Sequence, residues 1–487
     1  MFTGTLMAES AQQILRHVLE SPYSSQPQTL DTDSSAKREI FTKLQGAYNA
    51  CMNEEEIQQV ASAPLLEVLR KIEELFPVTK PGNNAHFPKL ITQQQLGLVF
   101  EGETQLSRTV TYLTSIGVNS LVSLGVGADD KDPDVVVPFV SAPRQPGLPS
   151  KEYYKDAHLV TRYGQVIGRV LEALLEEASP NSTASSSPTD GFGERSADLV
   201  EQIVAFESKL AKATPDAEDA EDVTQYYNPF TIEETRALLP QLSLQYLISE
   251  LGPSDFQTNK LIIGSPSYMR TLSSILQETS SGALQAYFVW KVVQTYAYKI
   301  EDSALRPLIR FNNELQGKDP DATEERWRTC VKVSDNGLGW ILSKFFVEKA
   351  FSEDAKNFGD SIVSDIKAQF VKKLRVADWM SEDVRELGIE KVHNIVQKIG
   401  FPVKSPDIRD SSALQDYYSA VEINDTAYFR NSLSLAKFDA RHEWSALGKP
   451  TNRDEWGMTA DTVNVSTFTL SATLLLRIIG LLQSSRQ

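Results

Sequence analysis

Apolar residues three and four positions apart recur along most of the chain, and this helical spacing restricts the possible folds more than any other feature. Segments 36–52 and 64–76 are two clear examples. Their apolar stripes are Ile40, Leu44, Tyr48 and Cys51 in the first, and Leu65, Leu69, Ile72 and Phe76 in the second. A third segment, 281–300, is apolar nearly all round, as is typical of a helix buried among other helices. The spacing therefore predicts a mostly α fold.

Segment 381–402 carries the fullest set of helix signals. Ser381 can cap the N-terminus, and Gly400 can end the helix in the left-handed conformation. Pro402 cannot continue it. The apolar stripe consists of Val384, Leu387, Val392, Ile395, Val396 and Ile399. We therefore predict one helix that reaches the end of this stripe.

Two segments break the helical pattern. Residues 119–140 indicate two short strands, Leu121–Val126 and Val135–Val140, around an acidic turn. Residues 179–196 are rich in Ser, Pro and Gly, which predicts a surface loop between two long helices. No repeat of fixed period is present, which argues against a solenoid.

The charge balance excludes one class of partner. Asp and Glu number 65 against 48 Lys and Arg, so the formal net charge is -17. Such a surface repels phosphate backbones, and no basic cluster offers a local exception. We therefore expect no nucleic-acid partner.

The most apolar stretch, Phe468 to Leu482, is too short for a membrane span and contains Arg477. The N-terminal segment lacks the features of a signal peptide.

The histidines do not form a familiar zinc motif. A zinc peptidase helix needs two histidines four positions apart with a Glu after the first. His442 and Glu443 begin that pattern, but Ala446 stands where the second histidine belongs. The five histidines are His17, His86, His158, His393 and His442, and no two of them lie within five positions. The sequence also lacks a complete dinucleotide-binding loop, calcium-binding loop, Gly-x-Ser-x-Gly nucleophile elbow or Walker phosphate-binding loop.

Cysteines and glycosylation sequons give weaker signals. The two cysteines, Cys51 and Cys330, are far apart in the chain, and spacing alone favours two unrelated buried thiols. Sequons at Asn181, Asn424 and Asn464 are compatible with an extracellular protein, although such tripeptides also occur by chance.

Several separate stretches occur in an order that points to one known family. They are AYNACMNEEEI (47–57), LVSLGVGADDKD and PRQPGLPSKEYY (within 121–154), ERWRTCVKV (325–333), FFVEKAF (345–351), WMSEDVRELGIEKVHNIVQKIGFP (379–402) and DEWGMTADTVN (454–464). Together they resemble the neprilysin and endothelin-converting-enzyme family of zinc metallopeptidases, over about residues 9 to 464.

The resemblance implies a domain organisation. We expect a mostly α protein whose large multi-helix domain, with a small β-hairpin, covers residues 1–415. Residues 416–464 would lead toward a catalytic lobe that is cut short, and residues 465–487 would be an aberrant apolar tail. In the family the helical domain covers the active-site cavity and admits only small peptides.

The resemblance also implies roles for particular residues. Cys51 and Cys330 match two family cysteines that pair, so it implies a disulfide and an oxidising compartment. Asn464 matches a residue that binds the substrate backbone, although Val465 replaces the Ala that follows it in the family. The family's zinc-binding motif should come next, so we expect this chain to bind no zinc by itself and to be inactive alone.

Two functions remain open at this point. The first is the N-terminal part of a zinc metalloendopeptidase that cleaves small peptides on the amino side of hydrophobic residues. It would face the outside of the cell, attached to the membrane only through a missing N-terminal anchor, with glycans at Asn181 and Asn424. The alternative is a helical module that binds peptides or a partner without cleaving them. A scaffold without a binding role ranks third.

Overall fold

The structure is a computed structural model that describes residues 2–26, 34–78, 104–178, 192–462, 465–468 and 473–476. The helices in these ranges are α1 (Phe2–Glu20), α2 (Ser34–Met52), α3 (Glu54–Val60), α4 (Ala63–Leu75), α5 (Gln105–Ser115), α6 (Ala157–Ala178), α7 (Phe192–Ala213), α8 (Ala217–Glu221), α9 (Val223–Tyr226), α10 (Ile232–Leu238), α11 (Leu244–Leu251), α12 (Pro266–Glu278), α13 (Ser281–Tyr296), α14 (Arg306–Leu315), α15 (Arg326–Ala350), α16 (Glu353–Arg375), α17 (Glu382–His393), α18 (Ser411–Tyr417) and α19 (Tyr428–Trp444). The strands are β1 (Ser123–Ala128), β2 (Val136–Ser141), β3 (Pro229–Phe230), β4 (Leu261–Ile263), β5 (Val396–Ile399), β6 (Val465–Phe468) and β7 (Thr473–Leu476). The predicted mostly α fold is confirmed.

The described residues divide into two compact units. The first takes its residues from 1–53, 324–431 and 452–487, and the second from 54–323 and 432–451. Most of the second unit is therefore one long insertion between α2 and α15. The domain limits predicted at residues 415 and 464 stay predictions.

The core of the first unit forms where α2 packs against α1, α15 and α18. The predicted stripe of α2 is buried, and Leu44 and Cys51 are fully shielded from solvent. On α15, Phe345 contacts Phe41 of α2 edge to face, with ring centroids 4.9 Å apart. Apolar packing of this kind holds α2 and α15 together.

The core of the second unit surrounds α13. Because α13 is apolar on nearly every side, it packs against α4 and α7 and contains the fully buried Trp290. The predicted hairpin is present as β1 and β2, which pair antiparallel. Two short strands that the sequence did not indicate extend the sheet to the order β1-β2-β4-β3.

A buried polar cluster lies in the second unit. Glu207 of α7 accepts hydrogen bonds from the hydroxyls of Tyr154 (3.0 Å) and Tyr163 (3.3 Å). Lys291 of α13 donates to the carbonyl of Gln145 at 3.0 Å. Burial raises the pKa of Glu207 to about 7 and lowers the pKa of Lys291. The hydrogen bonds of the cluster thus replace some of the hydrogen bonds to water that these groups lose on folding.

The loop beside this cluster depends on a glycine. A Cβ atom added at Gly147 would lie 2.0 Å from Oε2 of Glu207, which is inside van der Waals contact. The carboxylate therefore packs directly on the backbone of Gly147. The hydroxyl of Tyr154 also accepts a hydrogen bond from the N–H of Leu148 at 2.9 Å, which fixes the same loop.

The acidic turn of the hairpin is held by Asp129. This carboxylate is buried, forms an ion pair with Lys260, and accepts a hydrogen bond from the hydroxyl of Tyr227 at 2.6 Å. Its backbone N–H donates to the carbonyl of Val135 at 2.9 Å and closes the turn. Burial raises the pKa of Asp129, but hydrogen bonds from Lys260 and Tyr227 outweigh it, so the net pKa is lowered.

The helix predicted to span 381–402 is shorter than expected. It ends at His393 as α17, and Val396–Ile399 form β5, paired in parallel with β7. Gly400 does have the predicted positive φ of 78°, but it follows a strand. The β-branched residues after His393 fit a pleated strand as well as a helical stripe, and pairing with β7 decides between them.

The stripe predicted on that helix is also wrong in its first turns. Val384 and Leu387 are 51% and 64% exposed, whereas Ile389 and Val392 are buried against α16. The loop predicted at 179–196 falls mainly outside the described residues, but its last part is helical because α7 begins at Phe192. Within the described residues, no helix combines the length and apolar character that a membrane span requires.

Candidate functional site

In the residues that the structure describes, the three-stranded sheet of the first unit has an open edge at β6. Its order is β5-β7-β6, and β7 runs antiparallel to β6. In the described part of the chain, β6 pairs with β7 alone, so its other side carries backbone groups with no strand beside them. An extended peptide can bind such an edge through main-chain hydrogen bonds.

The predicted substrate-binding residue lies next to this edge in the sequence. Asn464 itself is outside the described residues. It directly precedes Val465, which is the first residue of β6 and pairs with Leu476 of β7. The residue that the resemblance selected and the open strand therefore belong to one short segment.

The sheet of the second unit has protected edges. At β1, the carboxylate of Glu443 accepts a hydrogen bond from the N–H of Val126 at 3.2 Å. A Cβ at Gly125 would lie 2.8 Å from the same carboxylate oxygen, so the approach needs glycine. Burial raises the pKa of Glu443. At the other edge, β3 has only two residues and one is Pro229. Charges and prolines at edges prevent further strand pairing.

Glu443 is a residue whose role the sequence did not indicate. It drew attention only as half of a failed zinc motif with His442. The ring of His442 stacks on Phe438 with centroids 5.8 Å apart. The side chain of Glu443 meets a strand that lies more than 300 positions earlier, and no local pattern encodes such a contact.

Contacts with α15 and β5 anchor the segment that leads to β6. The N–H of Ala460 donates to Oγ of Ser343 on α15 at 2.9 Å. The carbonyl of Glu455 accepts a hydrogen bond from Nζ of Lys398 in β5 at 2.5 Å. Burial lowers the pKa of Lys398. These contacts fix the chain shortly before β6 begins.

Cys51 and Cys330 form a disulfide in the structure. The sulfur atoms are 2.05 Å apart, and both residues are fully buried. The bond joins α2 to α15 within the first unit, at the two points that flank the long insertion. Nε of Arg326 also donates to the carbonyl of Cys51 at 2.8 Å. The two helix ends are therefore held both covalently and by a hydrogen bond.

The histidines stay apart. Four of them, His17, His158, His393 and His442, lie on α1, α6, α17 and α19. His86 falls outside the described residues. Among the residues that the structure covers, no three His, Cys, Asp or Glu side chains form a group that could hold a metal ion. This part of the chain therefore does not fit a zinc site.

One predicted glycosylation site can be examined. Asn424 is exposed, and its Oδ1 accepts hydrogen bonds from the N–H and the hydroxyl of Thr426, each at 2.9 Å. The side chain of Asn431 binds the backbone of Asn424 on both its N–H and C=O. The sequon thus occupies a fixed surface turn. Asn181 lies outside the described residues.

Comparison with protein families gives a match over most of the chain. A sequence profile described as peptidase family M13 matches residues 1–402. Among curated proteins, endothelin-converting enzyme 1 of Rattus norvegicus is 28% identical over 94% of this chain and 54% of its own length. Neprilysin-3 of Drosophila melanogaster is 25% identical over 93% of this chain and 54% of its own length. The chain thus spans about half the length of the curated relatives it matches.

Solved structures share the fold. The zinc metalloprotease Zmp1 of Mycobacterium tuberculosis, solved with an inhibitor, aligns with a TM-score of 0.75 and 20% identity. The alignment covers 97% of this chain and 63% of that one. PepO from Lactobacillus rhamnosis HN001 aligns with a TM-score of 0.72 and 18% identity, over 97% of this chain and 66% of that one.

Proposed function

The chain belongs to peptidase family M13, and from that premise we propose that it is the N-terminal part of a neprilysin-like zinc metalloendopeptidase. The complete protein would hydrolyse small peptides on the amino side of hydrophobic residues. The similarity to endothelin-converting enzyme 1 and neprilysin-3 supports this proposal. The chain spans about half the length of those relatives, so the activity of the complete protein is itself a proposal.

The contribution we propose for this chain is peptide binding at the edge of β6. The observation that carries it is that β6 has a strand on one side only, within the described residues. A substrate backbone would add as a further strand, and Asn464 would contact it just before β6 begins. Main-chain hydrogen bonds would then align the peptide with little dependence on its side chains.

Zinc enters the proposal only through the family. When bound, zinc would supply Lewis-acid chemistry for peptide hydrolysis in the complete protein. The described residues do not form a site for it, so no step of that chemistry is assigned to this chain. We propose that its ligands come from the part of the relatives' length that this chain does not span.

We also propose an extracellular environment. The buried disulfide between Cys51 and Cys330 is compatible with an oxidising compartment. The exposed sequon at Asn424 is accessible for a glycan. If Asn424 is glycosylated, treatment of the secreted protein with a glycan-removing amidase will lower its mass, and Asn424→Gln will remove that part of the shift. If removal of glycans shifts the mass of Asn424→Gln by as much as that of the unsubstituted protein, a glycan at this site is excluded.

Peptide binding is tested with a labelled peptide of about eight residues that has one internal Phe, a length within the usual range for a strand. We expect saturable binding in fluorescence anisotropy and slower hydrogen exchange at residues 465–468. A peptide N-methylated at alternate amides, on the side that faces β6, should bind weakly, whereas methylation of the other amides should be tolerated. Equal binding of the two methylated peptides would contradict strand addition at β6.

The enzyme proposal has a separate test. The native protein can be captured from its source with an antibody against the second unit, deglycosylated, and analysed for mass and zinc. We expect a zinc-bearing species well above 54.2 kDa. A zinc-free species at 54.2 kDa would contradict the enzyme proposal and leave peptide binding without cleavage as the function.

A further inference from the structure

Helix α15 is bent where the segment before β6 contacts it. Leu338 has φ of −122° and ψ of 32°, which is not helical, and it lies between Gly337 and Gly339. At the bend, the N–H of Trp340 donates to the hydroxyl of Tyr418 at 3.2 Å. The Tyr418 hydroxyl thus accepts a hydrogen bond from the α15 backbone at the point where regular helical geometry is interrupted.

Thr459 fits against the bend at Gly339. A Cβ atom added at Gly339 would lie 2.4 Å from Cγ2 of Thr459, so any larger residue would displace this threonine. The hydroxyl of Thr459 donates to Oδ2 of Asp335, one helical turn earlier, at 3.3 Å. The next residue, Ala460, is bound by Ser343 one turn later. Contacts on both sides of the bend therefore fix residues 459 and 460.

This contact lies close to β6 along the chain. Thr462 is the last residue of the anchored turn, and its N–H donates to the carbonyl of Thr459 at 3.3 Å. Only three peptide steps separate Thr462 from Val465, which limits their Cα separation to roughly 11 Å. A displacement of Thr459 must therefore be transmitted to the start of β6 or be absorbed within this short connection.

We propose that the bend of α15 positions the peptide-binding edge, with Gly339 and Asp335 as positioning residues that act through Thr459. This inference rests on the proposed binding of peptides at β6. The sequence signal is the pair Gly337 and Gly339 inside a long helix, where glycine is unfavourable unless close approach requires it. Asp335 and Gly339 do not touch the peptide. They hold the strand that does.

The test combines one disruptive substitution with its structural rescue. In Gly339→Ala the new methyl group overlaps Cγ2 of Thr459, so we expect the Kd of the labelled peptide to rise about tenfold or more. Thr459→Ser removes Cγ2 but keeps the hydroxyl for Asp335. The double variant Gly339→Ala/Thr459→Ser should therefore recover affinity to within about threefold of the unsubstituted chain. Gly282→Ala is the matched control, because nothing lies within 4 Å of a Cβ there.

A second variant covers the case in which Gly339→Ala does not fold. Thr459→Val keeps the shape of threonine and loses the hydrogen bond to Asp335, so the peptide should bind more weakly while the unfolding midpoint stays close to that of the control. Wild-type affinity in Gly339→Ala and Thr459→Val would overturn the inference. Equal weakness of Gly339→Ala and the double variant would also overturn it.

Hydrogen exchange separates failure of the inference from failure of the proposed function. If the unsubstituted chain binds no peptide, binding at β6 is refuted. The amides of residues 465–468 still report on positioning: they should exchange faster in Gly339→Ala and slow again in the double variant. Unchanged exchange in Gly339→Ala would refute the positioning role by itself.

Discussion

Replacing Cys51 and Cys330 together by alanine should lower the free energy of unfolding by an amount that depends on whether the second unit unfolds too. The disulfide closes a loop of 279 positions. In the chain-entropy treatment, a loop of this length stabilises the folded state by about 5–6 kcal/mol when the whole chain unfolds. This magnitude applies if the two units unfold in one step.

A smaller value follows if the second unit stays folded. The insertion then holds its two ends, Glu54 and Thr323, at a fixed separation. The flexible loop that the disulfide closes shrinks to about ten residues, for which the same treatment gives about 3 kcal/mol. The size of the loss therefore reports on the coupling between the two units.

Urea unfolding followed by hydrogen exchange and mass spectrometry can distinguish the two cases. Amides of α2 and α15 report on the first unit, and amides of α13 report on the second. Val331→Ala calibrates the packing lost when a buried side chain beside Cys330 is shortened, because Val331 is 2% exposed and the disulfide remains. If the double cysteine variant differs from this control by less than about 1 kcal/mol, the loop-closure reasoning is refuted.

Three further predictions concern the second unit. Gly147→Ala should destabilise it by about 2–4 kcal/mol in urea unfolding, because the new Cβ overlaps the carboxylate of Glu207, whereas the control Gly282→Ala should change little. The folded-state pKa of Glu207 is raised to about 7, so the chain should lose stability as pH rises from about 4.5 to 7, and Glu207→Gln should flatten this part of the profile; an unchanged slope would contradict the assignment. The pKa of Asp129 is lowered, so its contribution should be complete above the unfolded pKa of about 3.9 and be lost as pH falls through the folded value. Asp129→Asn should therefore be less stable at neutral pH and less sensitive to acid, as measured by the acid-unfolding midpoint.

The spacing of apolar residues was sufficient to predict an element when residues within that element determine which of its sides are buried. The stripes of α2 and α4 and the all-round apolar surface of α13 depend on the period of the helix itself, and the structure buries them as predicted. The β1–β2 hairpin was also found, because its strands are consecutive. Its partner β4 was missed because the pairing joins distant parts of the chain.

The same distinction explains the errors at 381–402. Val396 and Ile399 continue the apolar stripe of α17, but they pair with Thr473 and Leu476 of β7. A contact with a segment so far along the chain cannot be read from spacing. The division into two units likewise depends on which distant segments pack together, and spacing along the chain does not show this.

Only part of the candidate site could be predicted from the sequence. The resemblance to a family selected Asn464 and paired the two cysteines. The open edge of β6 and the contact between Thr459 and the bend of α15 needed three-dimensional neighbours. Gly339 was visible in the sequence, but the reason for glycine at this position is Thr459, about 120 positions later.

The position of the disulfide has a consequence for proteolytic processing. Cys51 and Cys330 lie just outside the two ends of the long insertion, so every peptide bond from residue 54 to residue 323 lies inside the covalent ring. A protease that cuts once within the insertion opens the ring without releasing a fragment. The nicked protein would keep the mass of the intact chain on a non-reducing gel and separate into two pieces only after reduction. A chain with this closed ring can therefore be cut once in a loop of the insertion and remain one covalently joined molecule.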